Sequence, residues 1–211
     1  MQQYYDKNNL EVGVDEVARG CLAGRVYAAA VIWPKEFEDI DDHLVLKDSK
    51  KLSKEKRLFY KDYIEENAID FSIGYEDEKQ IDKINIRNAT FKAMHKAIKG
   101  LNVEPESIIV DGNSFPDYSD DKGEIIPHKC IVSGDAKYAP IACASILAKV
   151  YHDEYIEELC ESEPNLKKYG WLTNMCYGTE EHLEAIKTYG ISRYHRKTFG
   201  VCKNYSKNNV C

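Results

Sequence analysis

The sequence predicts an α/β protein, and three observations carry that prediction. Val26 to Trp33 is an unbroken apolar run rich in Ala and Val, long enough for a buried strand and too short to span a bilayer. Pro140 to Cys160 reads as a long helix whose first half, Ile141 to Ala148, is apolar nearly all round and therefore buried. Between these two, short β-like stretches bounded by Gly, Pro and Asp alternate with stretches of helical spacing.

In chain order, Leu10 to Val14 is a first strand, followed by the acid pair Asp15-Glu16 and a turn at Ala18-Arg19-Gly20. Val26 to Trp33 is the second strand, ended by Pro34, and Lys35 to Asp42 is an acidic surface loop. Ser53 can cap a helix through Asn67, with Leu58, Tyr60 or Phe59, Tyr63 and Ile64 as its core stripe. Ile69 to Tyr75 alternates as a strand, and Glu76 to Lys79 reads as a charged link. That link precedes Ile81 to Ile86 and a helix running to about Lys99, with Ala89, Ala93, Ala97, Phe91, Met94 and Ile98 at helical spacing and Gly100 as its stop. Ser107 to Val110 is a strand ending at Asp111-Gly112, and Asn113 to Glu124 is a polar loop expected to be mobile. Pro127 to Val132 is another strand, ending at Ser133-Gly134-Asp135. Beyond the long helix, Ser162-Glu163-Pro164 is a break, and Thr179 caps a last helix, Glu180 to Tyr189, closed by Gly190.

With 43% hydrophobic and 31% charged residues, the composition is that of an ordinary soluble chain with one sizeable core. The polar N-terminus lacks a secretory layout. The seven cysteines show no C-x-x-C pair, so reduced thiols and an intracellular, cytoplasmic location are expected. The net charge of −7 argues against nucleic acid only as a sum. No acid follows Glu184, whereas Lys187, Arg193, Arg196, Lys197, Lys203 and Lys207 do, and Lys47, Lys50, Lys51, Lys54, Lys56 and Arg57 form a second basic cluster. Such clusters suit a phosphate track around an acidic centre, and equally a solvated face.

Three predicted strands end in acids: Asp15-Glu16, Asp111 and Asp135. Strand ends on one edge of a sheet converge, and that crevice is where ligands sit in α/β proteins. Converging carboxylates repel one another, so their natural occupant is Mg²⁺ or Mn²⁺, and two such ions about 3.5 to 4 Å apart form a phosphodiester-cleaving centre. Successive strand residues point to opposite faces, so Asp15 and Glu16 can share a centre only if the strand twists or ends there.

At these residues the chain resembles the ribonuclease HII family, whose first strand reads D-E-A-G-R-G-P-L-A-G-P-V-x-A-A-A-V, matched by Asp15 through Val31. The resemblance continues through Asp48 to Ser53, Ile81-Asp82, Asn85-Ile86, Ala89-Thr90 and Val110-Asp111-Gly112. It runs on through Gly134 to Lys137, Ala144 to Val150, Tyr177-Gly178-Thr179 and His195 to Phe199. It implies an RNase H-like mixed sheet flanked by helices (residues 1–150) with a small C-terminal helical appendage (151–211) starting near the middle of the long helix, or the two as one continuous domain. It also implies an endonuclease cutting 5′ of a ribonucleotide in RNA-DNA hybrids or in duplex DNA, leaving 3′-hydroxyl and 5′-phosphate ends; Mg²⁺ or Mn²⁺ is the expected cofactor and a monomer the expected state, with protein partners unknown. Asp15, Glu16, Asp111 and Asp135 fall on the family's four metal-binding acids. Ala18, Arg19 and Gly20 fall in the loop that reads the ribose 2′-hydroxyl, and Tyr177 on the tyrosine that packs against the sugar at the junction. Lys50 is a candidate phosphate contact, and Arg196 either a phosphate ligand or a carboxylate's partner.

The chain departs from the family pattern at Ala18, Arg25, Ser133 and Met175-Cys176. A methyl at Ala18 is expected to hinder a left-handed backbone or crowd the 2′-hydroxyl, altering strictness at the junction. A DNA-only nuclease of related fold, a non-catalytic nucleic-acid-binding module and a structural metal-binding protein are the competing readings. The Arg19-Gly20 and Tyr177 matches argue against the first.

Overall fold

The computed structural model describes residues 1–35 and 52–206. β1 (Glu11–Val17), β2 (Val26–Ile32) and β3 (Asp70–Glu76) form an antiparallel meander. β4 (Ser107–Asp111) lies parallel to β1; after a small ribbon of β5 (Tyr118–Ser119) and β6 (Ile125–Ile126), β7 (His128–Ile131) lies parallel to β4. The mixed sheet therefore has the order β3-β2-β1-β4-β7, with helices on both faces.

β2 is buried along its whole length, as its continuous apolar run predicts, because each face of the sheet is covered. Val12, Val14, Ala28, Ala30 and Val110 face α3 (Ile86–Lys99), while Ala29 and Val31 face α1 (Lys54–Asn67) and α4 (Ala139–Ser162). Two glycines let these helices sit directly on the strands. A Cβ on Gly13 would lie 2.3 Å from the Pro140 carbonyl carbon, and one on Gly74 would lie 2.1 Å from the Ala93 carbonyl oxygen.

Ser53 caps α1 by accepting from Lys56 N, but only Tyr60 and Ile64 of the expected stripe are buried; Phe59 is 63% exposed and Leu58 also faces out. Glu76 to Lys79 is not a link. Glu76 closes β3, and Asp77 accepts from Gln80 N at 2.8 Å to start α2 (Glu78–Ile84). The stretch expected as a mobile loop, Asn113 to Glu124, holds β5 and leads into β6.

Past the sheet, α4 continues unbroken to Ser162, and the chain then wraps its second half. A 3-10 turn (Pro164–Tyr169), α5 (Trp171–Asn174), α6 (Glu180–Tyr189) and α7 (Cys202–Ser206) make up this appendage. Their apolar residues join Ile156, Leu159 and Cys160 of α4 in a second cluster, which also takes in Ala18, Cys21, Leu22 and Ala23 from the β1–β2 loop. That loop is thus shared between the sheet and the appendage. None of the six described cysteines is in a disulfide, and no helix among the described residues is long and apolar enough to cross a membrane.

Candidate active site

β1 does not stop at the acid pair; it pairs with β2 as far as Val17. What stops is its pairing with β4, after Val14 opposite Val110, so Asp15 and Glu16 lie where the sheet opens on one side. Strand alternation sends their side chains to opposite faces. Asp15, 6% exposed, lies on the α4 face, where it is hydrogen-bonded to the Ser145 side chain and its Oδ1 accepts from Glu16 N at 2.7 Å. Glu16 faces the other way into an open cleft of about 280 Å³ lined by Arg19, Arg87, Thr90, Asp111 and Ser114 among others, and it receives Arg19 Nη1 at 3.1 Å. Asp111, the last residue of β4, accepts from Gly134 N at 2.7 Å. That bond holds another 3-10 turn, Gly134–Ala136, on which Asp135, the next residue, sits half-buried.

Burial, and then the charges of Glu16 and Asp111, push the Asp15 carboxyl well above the usual carboxylate range. Burial also raises Glu16, against the pull of Arg19. The structure therefore brings Asp15, Glu16 and Asp111 within electrostatic reach and leaves Asp135 one residue beyond the Asp111 bond. Among the described residues no three acids close into a ready-made cation cage. The donor set still suits a hard divalent cation. It is all carboxylate oxygen, and its most buried member is opposed by two like charges with no lysine or arginine of the described residues paired to it.

The turn beside the acids is held from behind. Ala18 has φ 69°, so the left-handed backbone forms in spite of its methyl group. That residue is 2% exposed and belongs to the second apolar cluster, so its methyl does not crowd the cleft, contrary to the expectation for it. Arg196 is corrected too. It is 0% exposed, and its Nε, Nη1 and Nη2 donate to the carbonyls of Gly24, Arg19 and Arg25, each at 3.0 Å. It therefore binds neither phosphate nor carboxylate, and instead clamps both ends of the β1–β2 loop. Leu22 N to Cys176 O (2.8 Å) and Arg196 N to Leu22 O (2.8 Å) stitch the same loop to the appendage.

This stitching sets Gly20 against Tyr177, where a Cβ on Gly20 would stand 3.9 Å from the Tyr177 ring. Arg19 and Gly20 are exposed, and Tyr177 is 36% exposed. Tyr177 follows two residues with positive φ, Met175 (46°) and Cys176 (65°), and its hydroxyl is hydrogen-bonded to the Cys21 side chain. Its carbonyl accepts from His182 Nδ1 at 2.9 Å, which fixes the tautomer: His182 Nε2 then accepts from Trp171 Nε1 (3.0 Å) and from His195 Nε2 (3.1 Å). His195 Nδ1 accepts from Ser192 N and Oγ, so both rings are neutral. Burial and the neighbouring His182 hold His195 down to about 3. His182 and His195 are thus packing and hydrogen-bonding groups.

Three residues behind the site carry roles that the motifs do not assign: Ser145 and Lys149, inside the matched stretch Ala144 to Val150, and Asp153 beyond it. They recur at i, i+4 along one stripe of α4, beginning in its apolar first half, a signal visible in the sequence. Lys149 Nζ pairs with Asp153 Oδ1 at 2.6 Å and lies 5.9 Å from the Tyr177 ring centre, and Asp153 also meets His152 Nδ1 (3.0 Å) and Arg57 (3.7 Å). Lys50 lies outside the described residues.

A mixed sheet in this order, with carboxylates at the open ends of its two central strands and helices on both faces, defines a metal-dependent nuclease of RNase H-like fold. A family model described as ribonuclease HII matches residues 12–202. Curated ribonuclease HII proteins from Parabacteroides distasonis (50% identity, 93% of this chain and 92% of the relative) and Christiangramia forsetii (48%, 98% of each) are similar over nearly the whole length. The chain belongs to the ribonuclease HII family. Solved structures share the fold: ribonuclease H2 from Pyrococcus horikoshii OT3 (TM-score 0.76, 22% identity, 93% of this chain and 97% of that one) and Bst-RNase HIII in complex with Mn²⁺ (0.69, 21%, 93% and 69%).

Proposed function

We propose that the chain hydrolyses the phosphodiester on the 5′ side of a ribonucleotide, in RNA-DNA hybrids or in duplex DNA carrying single ribonucleotides, leaving 3′-hydroxyl and 5′-phosphate ends. The observation that supports this most is the buried Asp15 carboxylate, opposed by Glu16 and Asp111 and lacking a cationic partner among the described residues. Asp15, Glu16, Asp111 and Asp135 would hold two Mg²⁺ or Mn²⁺ ions. When bound, these supply a water activated for attack and stabilise the leaving oxygen. Asp15 is on the α4 face and Glu16 on the α3 face, so between them they orient the scissile phosphate at the open edge of β1. The Ser145 hydroxyl, donating to Asp15, favours the ionised carboxylate and fixes its position.

Selection would fall to the wall beside the acids. The exposed Arg19-Gly20 backbone and the Arg19 side chain meet the 2′-hydroxyl, the group that marks a ribonucleotide, and the flat face of Tyr177 takes a sugar that lacks it. Such chemistry suits removal of ribonucleotides or RNA primers during DNA replication and repair, inside the cell, by a monomer acting on duplex nucleic acid.

The test is cleavage of a duplex with one embedded ribonucleotide in Mg²⁺ or Mn²⁺ by the wild type and by Asp111→Asn. We expect the variant to lose at least ~10²-fold in rate, the scale of losing one group that stabilises developing charge. Undiminished cutting would defeat the metal assignment.

A further inference from the structure

Two cations line the acidic cleft, and they are held differently. Arg19 is paired with Glu16, whereas Arg87 has no carboxylate partner among the described residues. Arg87 is exposed and lies in the first turn of α3, where the helix dipole disfavours positive charge and no acid of the same turn offsets it. It is nonetheless held in place. Its Nη2 donates to Ser114 Oγ at 3.0 Å, and its guanidinium stands 5.4 Å from the Phe91 ring centre. The guanidinium keeps further N–H groups for the cleft, and the Ser114 hydroxyl, which accepts from Arg87, keeps its own hydrogen to donate outward. Asn113 lines the same wall. A held, unneutralised fork beside two outward donors is the arrangement that binds a phosphodiester.

We propose that Arg87 and Ser114, with Asn113, form a phosphate subsite on the α3 side of the acidic cleft. It takes a backbone phosphate other than the scissile one, on the side of the cut away from Tyr177. Tyr177 stands by Lys149 of α4 and Arg87 stands on α3, so the two flank the acids from opposite faces of the sheet. A duplex crossing the acids meets both. The subsite rests on the nuclease reading above. It adds a contact that is indifferent to sequence and to sugar, setting the register of the duplex and not its selection.

The test is single-turnover cleavage in Mg²⁺ of the one-ribonucleotide duplex by wild type, Arg87→Met, Arg87→Lys and Ser114→Ala, across a range of KCl. Arg87→Met is expected to raise the half-saturating enzyme concentration about five-fold, to make its log–log dependence on salt shallower by about one, and to leave the maximal rate within about two-fold. Arg87→Lys should restore the salt slope and part of the affinity, and Ser114→Ala should show a smaller rise than Arg87→Met. Neutral methylphosphonates placed one at a time along the duplex should weaken the wild type at one position beyond the cut where Arg87→Met shows no further loss. A purely structural role for Arg87 would lower the melting temperature and leave the salt slope unchanged, and that result overturns the subsite. A wild-type chain that does not cleave the duplex overturns the nuclease reading and the subsite together. A wild type that cleaves, with Arg87→Met indistinguishable from it, overturns the subsite alone.

Discussion

The open end of β1 and the loop behind it treat buried charge in opposite ways. At Asp15 three carboxylates press on one another, and burial adds to the repulsion. At Arg196, a few residues away across the same loop, a buried cation has carbonyl partners for Nε and both terminal nitrogens, and the neighbouring histidines are neutral with every ring nitrogen engaged. The difference separates a place that must receive something from one that must only hold still. Unmet charge marks the first, and complete satisfaction marks the second.

The sharpest way to break this contrast is to neutralise the unmet charge. Asp15→Asn should abolish cleavage, by ~10²-fold or more, while raising the stability of the metal-free protein by about 1 kcal/mol, since it removes buried repulsion and keeps the shape. Paired rate and melting measurements check this; a destabilised, inactive variant would mean that Asp15 is structural. Removing the satisfied charge should do the reverse. Arg196→Met strands three loop carbonyls, that of Gly24 buried, and should lower stability by about 3 kcal/mol, and in the protein that remains folded it should blunt the preference for an embedded ribonucleotide over an all-RNA strand more than it slows cutting of the latter.

Proton linkage separates the two regions by sign. Asp15 and Glu16 are raised, so the native metal-free state holds protons that the unfolded chain has released. Their contribution is present below the ordinary carboxylate pKa and is lost as pH rises through the raised values. Saturating Mg²⁺ should flatten that decline, because binding displaces the same protons. His195 is lowered to about 3, so its contribution is full above the ordinary histidine pKa and is lost as pH falls toward 3. Melting temperatures against pH, with and without Mg²⁺, should show a metal-sensitive loss on the alkaline side and a metal-insensitive loss on the acid side. The smallest expected effect is at Ala18→Gly. Relief of the left-handed backbone and loss of a buried methyl oppose each other, so stability should move by less than about 1 kcal/mol, with the ratio of single-ribonucleotide to all-RNA cleavage unchanged.

Much of this was legible in the chain. The apolar run of β2, the caps at Ser53 and Thr179, the stops at Gly100 and Gly190 and the mixed character of α4 all act through local chemistry, which a sequence displays. α2 was not, because Glu76 to Lys79 shows charge and no apolar face, and its start depends on one Asp77 hydrogen bond. The length of β1 escaped for another reason: it is set by β2, a partner across the sheet, after β4 has been lost. Arg196 was misplaced because an arginine in a basic stretch looks like every other until its carbonyl partners, some 170 residues earlier, are brought to it. The acids were nameable from the strand ends and the family pattern, whereas the burial of Asp15 against Glu16 and Asp111 needed the fold.

α4 has a mechanical consequence. At ~1.5 Å per residue its 24 residues make a rod of roughly 36 Å. Ser145 at one level steadies Asp15, and Lys149 and Asp153, one and two turns on, lie behind Tyr177. With Asp15 cutting and Tyr177 reading the sugar, as proposed, blade and gauge are mounted on the same bar, and the offset between the bond broken and the sugar inspected is a built-in length, copied unchanged from one duplex to the next.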